Sequence, residues 1–233
     1  MAITVYWTCI ELEWMRAQEP ISIYKKYINS PQMQNSGVDR CPATFDYLRN
    51  MYGLKSIYDF DFKVGETLEA MNYSWDSKFV ERHVTVRSLE QKLFSVPQRY
   101  IFFTEQDSLL MSAGLHPFLE ENHIAKNCAI TPGVFDIGKW FRVVDFAFYL
   151  KNNENIFSVR ESDIFMYLQF HTDQRIKFKQ FSSTQKIENY TKDIVSAKNY
   201  IKLGKMKKLN EFYSMQKHKK FIIKEIKENL IKG

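Results

Sequence analysis

The chain has 233 residues, 45% hydrophobic and 15% aromatic, with 19 Phe and 13 Tyr, enough for a sizeable core and too apolar for global disorder. Its three cysteines, Cys9, Cys41 and Cys128, are far apart and form no CxxC or CxxH pair, which argues against a cysteine-paired zinc site or a disulfide framework and fits reduced thiols in a cytoplasm. The formal charge of +6 is uneven: residues 181–233 hold 13 Lys, no Arg and five acids, a formal +8, which leaves −2 for the first 180.

Residues 1–14 carry no basic leader, and Glu11 and Glu13 interrupt any apolar run, so no signal peptide is expected. No apolar stretch nears the roughly 20 residues that span a membrane. Ile3–Ile10 is β-branched and aromatic and reads as a strand. After Pro20, Ile21–Ile28 reads as a short helix, and Asn29–Arg40 as a polar loop. Pro42 suits a helix start; Phe45, Leu48, Met51 and Tyr52 follow at helical spacing, with Gly53 as the stop. From Tyr58 to Phe181 the pattern shifts to period two or short apolar runs. Strands are expected at Tyr58–Val64, Thr67–Tyr73, Phe79–Val86, Arg99–Phe103, Cys128–Val134, Val143–Leu150, Ile156–Val159, Ile164–Phe170 and Ile176–Phe181, with a turn at Asn152–Asn155. Beyond Phe181, Thr184–Lys202 and Lys205–Lys232 have helical periodicity, an apolar stripe opposed by lysines and a break at Gly204.

The sum is an α+β chain. A mostly β core, β-clip-like or barrel-like, starts near residue 58 of a 1–181 body; short helices precede it, and two amphipathic helices form a lysine-rich element over 182–233.

Two clusters invite a metal reading. His116, Glu120 and His123 would share a helix face, but Pro117 turns His116 away from helix, and a solvated turn is the simpler reading. Asp59 and Asp61 alternate onto one strand face near Glu66, which reads as a solvated face rather than a Mg²⁺ site. Trp7 and Trp14 read as core.

The most distinctive stretch is Thr131-Pro132-Gly133-Val134-Phe135-Asp136-Ile137-Gly138-Lys139-Trp140-Phe141-Arg142, followed by the apolar run Asp145–Leu150 and by Phe157–Val159 and Ile164–Phe170. It resembles the dUTPase-like β-clip family, in which a Gly-Val-Ile-Asp motif opens a hairpin, and it looks like uncharacterised proteins carried by tailed marine phages and some bacteria. The resemblance spans about a third of the chain and implies a fold that often forms trimers. It implies that Asp136 orients water or a sugar hydroxyl, that Trp140 stacks on the sugar, and that Ser108, Lys139 and Arg142 contact the ligand, with Mg²⁺ neutralising phosphate. The bland reading of Asp136 is a turn carboxylate holding backbone N–H groups, and of Lys139 and Arg142 surface ion pairs.

Two departures weigh against hydrolysis. Glu105 and Asp107 stand where a phosphate-binding Arg is expected before Ser108, and only Gly204 and Gly233 lie beyond Gly138, so no glycine-rich arm closes over phosphates. The leading reading is a non-enzymatic phage-type accessory or assembly protein, without cofactor or metal, self-associating or binding a protein, in the host-cell cytoplasm or the virion and not in a membrane. The second is a nucleotide-binding protein or nucleotide pyrophosphohydrolase using Asp136, the one reading that requires Mg²⁺. The third is nucleic-acid binding through Lys205–Gly233, with Lys205, Lys207, Lys208, Lys217, Lys219 and Lys220 on phosphates; the simpler view of those helices is an apolar face packed on the body with lysines solvated.

Overall fold

A computed structural model describes residues 2–10, 18–28, 30–31, 33, 40–56, 59–71, 80, 83–96, 98–151, 154–200 and 216–231, with backbone alone at 193–200 and 216–217. In chain order the elements are β1 (Ala2–Cys9), β2 (Ile21–Ser22), α1 (Ile23–Tyr27), α2 (Pro42–Leu48), β3 (Met51–Lys55), β4 (Phe60–Val64), β5 (Leu68–Ala70), β6 (Thr85–Ser88), β7 (Leu93–Ser95), β8 (Tyr100–Thr104) and β9 (Leu110–Gly114). Then follow α3 (His123–Asn127), β10 (Cys128–Ile130), β11 (Val134–Asp136), β12 (Ala147–Leu150), β13 (Ile156–Val159), β14 (Ile164–Phe170), β15 (Arg175–Gln180), α4 (Gln185–Tyr200) and α5 (Gln216–Glu228). The fold is mixed α+β and mostly β.

The strands form four sheets, ordered β15-β1-β8, β10-β12-β7-β6, β11-β9-β14-β3-β2 and β13-β4-β5. Among the described residues none closes into a barrel, so the barrel-like alternative gives way to open sheets. What joins them is phenylalanine. Phe94 of β7 lies 5.1 Å from Phe62 of β4 and 5.2 Å from Phe157 of β13, two rings that stack within one sheet at 5.1 Å, and Phe148 of β12 lies 5.0 Å from Phe165 of β14. All five rings are buried. Edge-to-face and stacked rings at such spacings add to the area term that drives the packing. β14 is central to its sheet and buried on both faces, which explains its unbroken apolar run.

Several boundaries differ from expectation. The strand expected over Phe79–Val86 lies instead at Thr85–Ser88, with Val80 and His83 helical, and the one expected from Val143 begins at Ala147. The helix from Pro42 ends at Leu48, and Met51–Lys55 is a strand between β14 and β2. Gly53 is not a helix stop: a Cβ there would lie 3.1 Å from Ile164 Cδ1 and 3.1 Å from Ile23 Cδ1, so the glycine lets α1 and β14 close on β3. The strand expected over Cys128–Val134 is two strands in different sheets, parted where Pro132 cannot donate to a ladder. Ile21–Ile28 begins as two residues of strand before Ser22 caps α1 by accepting the Lys25 N–H at 3.3 Å.

The C-terminal helices share a core with β1 and β8: Ile187 of α4 and Ile222 and Ile226 of α5 pack with Tyr6, Ile101, Phe103 and Phe141. Thr184 caps α4 through the Ile187 N–H at 3.2 Å, and the Ile231 N–H returns to the Gln180 carbonyl at 3.0 Å. Among the described residues no helix is long and apolar enough to cross a membrane. The expected loop over 29–40 falls mostly outside the described residues. So do Trp14, residues 152–153 of the turn, the ends of the strands expected to reach Tyr73 and to start at Phe79, and Gly204 with the first half of the last helix.

Candidate functional site

Asp136 closes β11, which pairs antiparallel with β9. Its Oδ1 accepts the backbone N–H groups of Leu109 at 3.2 Å and Gly138 at 3.1 Å; its Oδ2 accepts the Ser108 hydroxyl at 2.8 Å and the Lys139 ammonium at 2.8 Å. Its carbonyl oxygen takes the N–H groups of Lys139 at 3.1 Å and Trp140 at 2.8 Å, which coils the next residues into a turn. Burial alone would push this carboxyl up, but Lys139, Ser108 and the Leu109 N–H outweigh it and hold the pKa below the usual range. Gly138 is fixed by space: a Cβ there would lie 2.6 Å from the Gln106 carbonyl oxygen and 2.9 Å from the Ser108 backbone.

The structure divides the expected ligand residues into two groups. Ser108 and Lys139 meet on the Asp136 carboxylate. Trp140 and Arg142 gather instead on Phe135, whose side chain alternates to the other face of β11. The Trp140 ring lies 5.8 Å from Phe135 at 80°, and the Arg142 guanidinium lies 5.7 Å from the Phe135 ring centre while its Nε donates to the Val143 carbonyl at 3.3 Å. Such cation–π contacts hold an arginine in place at modest energy.

Beside Asp136, the loop from β8 to β9 brings its acids against α5. Glu105 accepts the Tyr6 hydroxyl at 2.6 Å and the Lys227 ammonium at 2.8 Å, and these two donors, Lys227 foremost, lower its pKa. Burial and the Glu105 contact raise the Tyr6 phenol. Lys219 donates to the Gln106 carbonyl and lies 5.9 Å from the Phe103 ring centre; burial lowers its pKa against the opposing pull of Asp107, Asp136 and Glu105. A groove of about 650 Å³ runs between this loop and α5, lined by Asp107, Ile223 and these lysines. Lys219 and Lys227 thus serve contacts within the chain. Lys220 is exposed, Lys205, Lys207 and Lys208 lie outside the described residues, and so does the side chain of Lys217.

The two clusters weighed as metal sites are engaged by other partners. His116 packs edge-on against Tyr47 and Tyr167, and burial lowers its pKa. Glu120 accepts the Lys26 ammonium at 2.9 Å and the Tyr27 hydroxyl at 3.0 Å, while the His123 Nε2 lies 3.0 Å from the Ile156 carbonyl. Asp61 is 7% exposed rather than solvated: Arg160 Nη1 reaches both its oxygens at 2.6 and 2.7 Å. Among the described residues no group of three His, Cys, Asp or Glu is placed to hold a metal ion.

Sequence reasoning missed a cleft of about 1,070 Å³ between α1, α2 and the start of β15. Lys25, Lys26, Arg49, Arg175 and Lys177 line it, against Glu19 and Asp173, together with Tyr24, Phe45, Tyr52 and Phe178. These residues come from three distant stretches, none a motif by itself.

No family model matches the chain, and no curated protein matches it.

Proposed function

We propose that this chain is a non-enzymatic accessory or assembly protein, of the kind its resemblance to phage-borne β-clip proteins implies, acting through what it binds in the host cytoplasm or the virion. The observation that carries the reading is the state of Asp136. An ionised carboxylate offers about four acceptor sites, and Ser108, Leu109, Gly138 and Lys139 supply four donors. A general base needs a lone pair within reach of the proton it takes. Asp136 spends its lone pairs on the β11 turn and on its link to β9.

A second reading, nucleotide hydrolysis with Mg²⁺, is favoured by one contact: the Ser108 hydroxyl meets the Asp136 carboxylate at 2.8 Å, bringing together two residues that the β-clip resemblance assigns to one site. Pyrophosphate release from dUTP and the other deoxynucleoside triphosphates with Mg²⁺ separates the two. The accessory reading expects no release above the blank. Release that disappears in Asp136→Asn, with the circular dichroism spectrum unchanged, would replace it with the hydrolase.

A further inference from the structure

We infer that the cleft between α1, α2 and the start of β15 binds a segment of single-stranded nucleic acid. The site is separate from Asp136: the cleft borders β2 and β3 at one end of the five-stranded sheet, and Asp136 lies on β11 at the other.

Charge is the first argument. Five cations and two acids line the cleft. Among the described residues, Lys25, Arg175 and Lys177 make no ion pair, and Arg49, just past the end of α2, pairs with the exposed Asp46 of that helix at 2.6 Å. Like charges gathered in one concavity repel one another and focus a positive potential, which a phosphate backbone relieves with release of its counterions.

Aromatic surface is the second. Tyr24 is 37% exposed and its ring lies 6.1 Å from that of the half-buried Phe45; behind them the buried Tyr52 stands edge-on to the half-buried Phe178 at 4.8 Å. An exposed ring such as Tyr24 among cations presents a platform for a base while the cations follow the phosphates. A duplex hides its base faces, and a phosphopeptide or lipid headgroup has none to stack.

Size and rigidity are the third. At about 1,070 Å³ the cleft lies at the upper end of the about 300–1,000 Å³ of ordinary small-molecule pockets, with room for an extended strand. Its walls are held in place before any ligand arrives. Asn50 Nδ2 donates to the carbonyls of Thr172 at 2.7 Å and Gln174 at 3.0 Å, fixing the turn that delivers Arg175. The Ser22 cap fixes the helix that delivers Tyr24 and Lys25. Ordering done in the free protein is not charged against binding.

The test is fluorescence anisotropy of a labelled deoxythymidine oligomer of about ten nucleotides with the full chain across a salt series. Binding is expected, with log K falling against log salt at a slope of about −2, from three cations at about −0.7 per phosphate. Arg175→Ala with Lys177→Ala should weaken binding at least tenfold and flatten the slope. Lys25→Glu, on the exposed face of another element, should do the same if the β15 pair fails to fold. Tyr24→Ala should weaken binding at every salt with the slope kept, and Lys220→Ala on α5 should change nothing. Four results would overturn the proposal. They are no binding at about 50 mM salt, equal binding by wild type and cleft variants, a mononucleotide binding as tightly as the oligomer, or full competition by dextran sulfate with Tyr24→Ala silent.

Discussion

The Ser108 hydroxyl donates to Asp136 Oδ2 at 2.8 Å across a separation of 28 residues, so the loop before β9 and the turn after β11 are tied through one carboxylate. Asp136→Asn keeps the shape but replaces one acceptor oxygen with an amide that faces donors, and it removes the charge that Lys139 meets. The expected cost is about 1–3 kcal/mol, the range for leaving buried partners unsatisfied, read from the urea midpoint.

The same carboxylate sets a pH dependence. Asp136, Glu105, Glu154 and Glu225 all have lowered pKa values: Glu105 mainly from Lys227, Glu154 mainly from the Ile156 N–H, and Glu225 mainly from Lys186. A carboxyl that is more acidic folded than unfolded stabilises the fold above its unfolded pKa, about 4, and loses that contribution as pH falls through the folded value, because the unfolded chain then binds more protons. Thermal midpoints should therefore drop steadily below about pH 4, and Asp136→Asn should lose less than wild type over that window.

Gly138 and Gly65 make a controlled pair. A methyl at 138 meets backbone atoms of Gln106 and Ser108 at 2.6 and 2.9 Å, which cannot swing aside, whereas at 65 the nearest atom is the Thr67 carbonyl oxygen at 3.8 Å. Gly138→Ala should destabilise by about 1–3 kcal/mol and Gly65→Ala by far less. Matched denaturation curves would show the ordering, and equal effects would refute the packing argument.

The docking of α5 rests on its inner face. Ile226 is fully buried and Ile222 nearly so, while Phe221 is 61% exposed. Ile226→Ala should cost about 2–5 kcal/mol and Phe221→Ala no more than about 0.5. Urea midpoints of the two variants, set against wild type, should show the first loss and not the second.

The thiols should react in a fixed order. Cys41 is exposed at the start of α2, where the nearby Thr44 N–H and hydroxyl and the Ala43 N–H lower its pKa; Cys128 is buried and its pKa is pushed up to about 12 by desolvation. Cys9 is buried and donates to the Gln98 carbonyl at 3.3 Å. A disulfide reagent at neutral pH should titrate one thiol rapidly, and Cys41→Ser should abolish that phase; the other two should react only on unfolding.

The sequence by itself determined the α+β class, the strands with long apolar or alternating patterns such as Ile156–Val159 and Ile164–Phe170, and the amphipathic stretch of α4, because period and composition act locally. It did not mark β9, whose Ser112, Ala113 and Gly114 carry little pattern, nor β3, whose short apolar run reads equally as the end of a helix. Only the tertiary structure decided that Asp136 meets Ser108 and Lys139 while Trp140 and Arg142 settle on Phe135. Only it brought Tyr24, Arg49 and Arg175 around one cleft. The reason is physical: side-chain partners across a sheet or between layers are fixed by register and packing between segments far apart in the chain, which no local periodicity encodes.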